Sequence, residues 1–119
     1  MTVRELYTIA AAMVGDRENI DKDERDLSNQ YMNVLLQETL PCENSIRAKN
    51  GDRELDSAPF VMSLDDSIIY NDALVRSAFP YGLAWQYHQA DGNLGLAAQY
   101  RNMFIDAVNS NYCFSMRKY

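Results

Sequence analysis

The chain has 119 residues, 47% of them apolar and 24% charged, the profile of one globular domain that can build a core without staples. Lys and Arg number 11 against 17 Asp and Glu, for a formal net charge of −6. That balance argues against general binding to nucleic acid or to an anionic membrane, since both need a basic face. No apolar run is long enough to cross a bilayer, and Gly15-Asp16 interrupts the first apolar stretch too early for a secretory leader. Cys42 and Cys113 stand far apart in no CxxC arrangement, so they read as thiols kept in a reducing compartment.

The first element is a helix. Thr2 and Glu5 have capping-box spacing, in which each side chain meets a backbone donor at the helix start. Leu6, Ile9, Ala10 and Met13 recur at helical spacing, and Val3, Tyr7 and Val14 widen the face. Gly15 is a natural stop. Asp16 to Asp26 then holds six acids against three bases. A calcium loop would need a D-x-D-x-D-G spacing with glycine at the sharp turn, and Asp21, Asp23 and Asp26 do not supply it. The segment reads as a solvated connection and a helix start.

A second helix is expected from about Glu24 to Leu40, marked by Leu27, Tyr31, Val34, Leu35 and Glu38. Pro41 is expected to end it, because proline disfavours helix at the residue before it. Cys42 to Met62 is then the longest irregular stretch, with the turn signal Asn50-Gly51 and with Pro59. Within it, Ser45 to Ala48 and Arg53 to Leu55 can pair as a short hairpin.

Ser63 and Asp66 repeat the capping-box spacing and should open a short turn through Leu64 to Ile69. Asn71 is placed to cap a third helix that carries Leu74, Ala78, Tyr81, Ala84 and Trp85 to about His88. Pro80 should kink it near Arg76 to Pro80, and Gly82 admits a close neighbour. Asp91-Gly92-Asn93 is a turn, and Asn93 can cap a fourth helix. There Leu96, Tyr100, Met103 and Ala107 form one row and Ala97, Phe104 and Val108 the next, ending near 109–111. Tyr112, Phe114 and Met116 alternate with Cys113, Ser115 and Arg117, which is strand periodicity. The expected architecture is all-α: a four-helix, mostly antiparallel bundle over 1–111, a long loop between helices 2 and 3, and an extended tail over 112–119.

Signs of chemistry are sparse. His88 is the single histidine, with no GxSxG serine and no nearby cysteine to make a nucleophile or a zinc site. No GxGxxG or P-loop cradles a phosphate, and the GxxG of Gly92 to Gly95 is too short a pattern to mean RNA binding on an acidic chain. Asp65-Asp66 is the best carboxylate pair, and capping accounts for it. Tyr81, Trp85 and Tyr87 are either core or an interface. No catalytic residue, cofactor or metal ligand is assigned.

Several segments together resemble the small helical head–tail connector (neck adaptor) proteins of tailed bacteriophages and prophages. They are Val3-Arg4-Glu5-Leu6-Tyr7, Tyr31 to Leu40 ahead of Pro41, Ala48-Lys49-Asn50-Gly51, and Pro59 to Tyr70 around Ser63-Leu64-Asp65-Asp66. Pro80-Tyr81-Gly82-Leu83-Ala84 and Tyr100 to Ala107 complete the likeness, which covers roughly residues 2 to 108. It implies a structural protein that catalyses nothing. Such a protein docks on the phage portal protein as a ring, extends the DNA channel, and meets a downstream neck or tail protein. It would act in the host bacterial cytoplasm during assembly and then in the virion neck, without specific nucleic-acid or membrane binding. On that reading Tyr112, Phe114, Met116 and Tyr119 of the tail are expected at the portal, and Arg53 and Leu55 at a neighbour. The rival expectation is an acidic inhibitor or DNA mimic aimed at a host nucleic-acid enzyme, although the acids crowd only between Asp16 and Asp26.

Overall fold

The structure, a computed structural model, describes residues 1–14 and 22–112, with side chains for 1–13 and 29–112. Four helices follow in order: α1 (Val3–Val14), α2 (Lys22–Asn50), α3 (Asp72–Ala90) and α4 (Leu94–Asn111). The chain is an all-α four-helix bundle, and the described residues include no strand beyond a single antiparallel bridge between Thr2 and Ser67.

The ends of these helices show why they form where they do. Thr2 N–H donates to Glu5 Oε1 at 3.0 Å and Glu5 N–H to Thr2 Oγ1 at 3.2 Å, so the capping box at α1 is closed. The hydrogen bonds that Thr2 donates to the Glu5 carboxylate, from its backbone N–H first and then from its hydroxyl, hold that carboxyl below its usual range. At α4, Asn93 Oδ1 accepts from Leu96 N–H as a cap should. Two glycines finish α2 and α3 in the same way. Asp52 N–H reaches back to Arg47 O and Gly51 N–H to Ala48 O; Asn93 N–H reaches His88 O and Gly92 N–H reaches Gln89 O. Both sets are Schellman caps, which need a left-handed residue, and Gly51 and Gly92 have φ of 79° and 81°.

The course of α2 corrects the expectation that Pro41 ends it. The helix runs unbroken through Pro41 to Asn50, 29 residues, or about 43 Å at the standard rise, close to the 46 Å longest extent of the molecule. Residues 42–50 therefore belong to the helix, and the hairpin expected from Ser45–Ala48 and Arg53–Leu55 is absent. Asn50-Gly51 is a helix terminus instead of a hairpin turn. The cost of the missing proline N–H is offset by burial: Leu35, Thr39, Cys42 and Ile46 form one continuous row against the core, and Pro41 itself faces solvent.

One further expectation is corrected nearby, and another holds in shortened form. Ser63 and Asp66 exchange local bonds, with Asp66 Oδ2 accepting from the amides of Met62 and Ser63, and the turn they open spans 64–65 and stops short of Ile69. Asn71 precedes α3 but its side chain caps nothing there; it is drawn to Glu43 instead.

The middle of the bundle is α3, which packs against each of the other helices. Its buried residues, among them Leu74, Val75, Ala78, Phe79, Gly82, Leu83 and Gln86, lie on most of its circumference. Helix α4 folds back on it through Asp91 to Asn93. Gly82 makes the expected close approach possible, since a Cβ there would stand 2.7 Å from Leu35 Cδ2 and 3.0 Å from Phe104 Cδ1. Leu6, Met32, Leu35, Leu36, Leu74 and Phe79 are fully buried and form the heart of the core.

Candidate interaction surface

The segment from Gly51 to Asn71 is the one long connection among the described residues, and α2 holds it by side chains. Asn44 accepts from Leu55 N–H at 2.8 Å and donates to Leu55 O at 3.0 Å. Asn33 does the same for Val61, at 2.8 and 3.0 Å. Each carboxamide thus stands in for a neighbouring strand, offering one donor and one acceptor to one residue's backbone. Asn29 adds a bond from its Nδ2 to Met62 O at 3.3 Å. The climb along α2 from Asn33 to Asn44 is about 16 Å, and the segment from Leu55 to Val61 covers it in the opposite direction with a bend at Asp56 and Ser57.

Beyond that bend, the side chains from Phe60 to Met62 alternate in direction. Val61 is turned into the core at 4% exposure, and its neighbours Phe60 and Met62 are turned out at 75% and 79%. They are the two most exposed large apolar side chains among the described residues.

The far end of the segment is tied to a buried carboxylate. Glu43 is fully buried and receives Arg47 Nε at 2.6 Å, Asn71 N–H at 2.8 Å and Asn71 Nδ2 at 3.1 Å. Arg47 turns its other nitrogens to the carbonyls of Arg53 and Ile69, so both limbs of the segment meet at one guanidinium. A buried charge needs such company, because an unpaired one would cost several kcal/mol, on the order of 3–5. Beside it, Tyr70 donates its hydroxyl to Leu36 O at 2.6 Å. Burial first, and then the charge of Glu43, push the Tyr70 hydroxyl well above its usual range.

The segment also closes the start of α1. Val3 N–H donates to Asp66 O, Arg4 N–H to Leu64 O, and Ile68 N–H to Met1 O. The Arg4 guanidinium pairs with Asp65 at 3.1 Å across the surface. The Asp65-Asp66 pair is accounted for by these contacts, with Asp66 bonding amides and Asp65 pairing with Arg4.

The aromatic group of α3 is engaged within the molecule. Trp85 stacks on Phe104 and lies under the Arg101 guanidinium at 4.3 Å, and its Nε1 donates to Gln89. Tyr81 stacks on Tyr100, and Tyr100 on His88 at 5.4 Å. His88, in the last turn of α3, is 8% exposed and packs against Tyr100 of α4. Cys42 is buried, with Sγ 3.5 Å from Val108 O. Among the described residues no three His, Cys, Asp or Glu side chains converge to hold a metal ion, and no helix is long and apolar enough to cross a membrane.

Of the residues expected at interfaces, Arg53 is freely exposed and only loosely paired with Asp56 at 3.9 Å. Leu55 is half-buried against the core, held there by Asn44. Tyr112 is the cap residue of α4 and packs partly on the core, where burial raises its hydroxyl pKa. Phe114, Met116 and Tyr119, with the expected tail strand, lie outside the described residues, as do Gly15 and Cys113. Phe60 and Met62 were missed, and so were the asparagines that aim them. The signal was present in Pro59-Phe60-Val61-Met62, an apolar run whose alternation leaves two of its members without a core to face. No known family, curated protein or solved structure matches the chain.

Proposed function

We propose that this chain is a non-catalytic docking protein, a head–tail connector of the phage neck type. The observation that carries the reading is the arm formed by Gly51 to Asn71, which is held along α2 by Asn33 and Asn44 and locked at its base by Glu43 and Arg47. A pinned arm suits assembly, because a surface already ordered loses little conformational freedom on binding. The likeness of Pro59 to Tyr70 and of Pro80 to Ala84 to neck adaptors supports the same reading. In it, the tail residues Phe114, Met116 and Tyr119 reach the portal protein and the arm meets a second component. The acidic balance suits a channel wall that repels passing DNA.

The test is native mass spectrometry of the chain co-expressed with the portal protein of the same locus. A portal ring carrying bound copies is the expected result. A folded portal ring that carries none refutes the connector reading. Removing residues 113–119 should abolish docking while leaving the helical circular dichroism intact.

A further inference from the structure

We infer that Phe60 and Met62 are the anchors of the arm, and that they enter an apolar pocket rimmed by Lys and Arg on a different protein. The inference rests on the docking reading above and adds the chemistry of the partner.

The apolar half of the argument is geometric. The two side chains share one side of an extended segment whose other side, at Val61, is sealed in the core. Their direction is fixed, since Val61 is held through both its N–H and its C=O by Asn33, and Met62 N–H by Asp66. Folding therefore leaves the Phe60 ring and the Met62 thioether exposed, and none of the described residues covers them. A rigid aromatic anchor beside an adaptable thioether is the pairing expected at the centre of an interface.

The electrostatic half is compositional. Residues 51–71 hold Asp52, Glu54, Asp56, Asp65 and Asp66 against Arg53 alone, five acids less one base, or −4 of the net −6. Arg4 offsets one of these by pairing with Asp65. An acidic arm around an apolar tip is repelled by phosphate, which disfavours nucleic acid and anionic lipid. It is also repelled by a second copy of a chain whose net charge is −6. Opposite charge on the rim of the receiving pocket steers encounter and fixes orientation.

The test places the photo-cross-linker p-benzoylphenylalanine at position 60 and, as a control of similar exposure, at position 94 (Leu94 is 68% exposed). The full chain is produced with the other proteins of its locus, irradiated, and the cross-linked peptide identified. The expected result is a position-60 adduct, absent from position 94, on a different protein at an apolar site flanked by Lys or Arg. Against that purified protein, Phe60→Ser/Met62→Ser should weaken binding on the order of 100-fold with unchanged circular dichroism. Raising salt from about 0.05 to 0.5 M should weaken wild-type binding on the order of tenfold. An adduct no stronger than at position 94 would overturn the inference. So would an adduct to a second copy, to lipid or to nucleic acid, or a double variant that binds normally. The two readings separate cleanly. A basic-rimmed partner that is not a neck component overturns the connector proposal and leaves the anchors standing. Portal binding with a silent arm does the reverse.

Discussion

A Cβ on Gly82 would lie 2.7 Å from Leu35 Cδ2 and 2.8 Å from Leu35 Cδ1, so the crossing of α2 and α3 is set by the absence of a side chain. Leu35 is fully buried, so its methyls would have to shift within a close-packed interior. Gly82→Ala should therefore destabilise the protein. The overpacking cost is about 1–3 kcal/mol, set against a helix-propensity gain of up to about 1 kcal/mol. Urea denaturation reads the difference, and a net stabilisation would mean that Leu35 repacks freely.

Pro41 lies inside α2 on its solvent side. It lacks the N–H that would close a helical bond and crowds the preceding turn. Pro41→Ala should stabilise the chain, by roughly 1–3 kcal/mol. If the helix ended at Leu40, the same change would do little. Thermal denaturation distinguishes the two.

Pro41 also shows how far the sequence could be read. Rules that depend on neighbours a few residues apart worked well for Thr2 with Glu5, Asn93 with Leu96 and the turn at Gly92, whereas Asn50-Gly51, read as a hairpin turn, closes α2. The proline rule failed because it describes local cost, whereas the row Leu35, Thr39, Cys42 and Ile46 adds burial that only the finished core supplies. That row keeps helical spacing across Pro41 and was the available warning. The arm was harder to see. Asn33 and Asn44 look like ordinary solvated helix residues, and their partners, Val61 and Leu55, are 28 and 11 residues away. Glu43 gave no sign of burial, since a carboxylate is rarely buried without partners, and its partner Asn71 comes 28 residues later.

Asn33→Ala and Asn44→Ala each remove a donor and an acceptor from one backbone position. Each should cost about 1–3 kcal/mol, chiefly from leaving Val61 or Leu55 groups unpaired. Hydrogen exchange should quicken at Val61 in the first variant and at Leu55 in the second, with α3 and α4 unchanged. Equal protection in the variants would show that the side-chain bonds do not hold the arm.

Tyr70 makes stability sensitive to alkaline pH. Its hydroxyl is raised in the folded protein above the value near 10 of an unfolded tyrosine. Above about pH 10 the unfolded chain therefore holds fewer protons than the native one, and stability falls as pH rises. Below about pH 10 that contribution is fully present. Denaturation midpoints between about pH 8 and 11 should drop steeply in the wild type and less steeply in Tyr70→Phe. The variant should start lower at neutral pH, since it loses the bond to Leu36 O. Parallel curves would rule out Tyr70 as the cause.

The start of α1 borrows its hydrogen-bond partners from residues 64 and 66, and Arg4 reaches Asp65 across 61 residues of sequence. Of the four helices α1 leaves the ribosome first and is among the last to be secured. Its contacts with the central helix α3 must wait as well. Long-range contacts of this kind slow folding, because loop closure precedes any reward. Until translation has passed the arm and α3, the apolar face formed by Val3, Leu6 and Ala10 lacks most of its partners, and this is the interval in which a nascent chain is most open to chaperones and to aggregation.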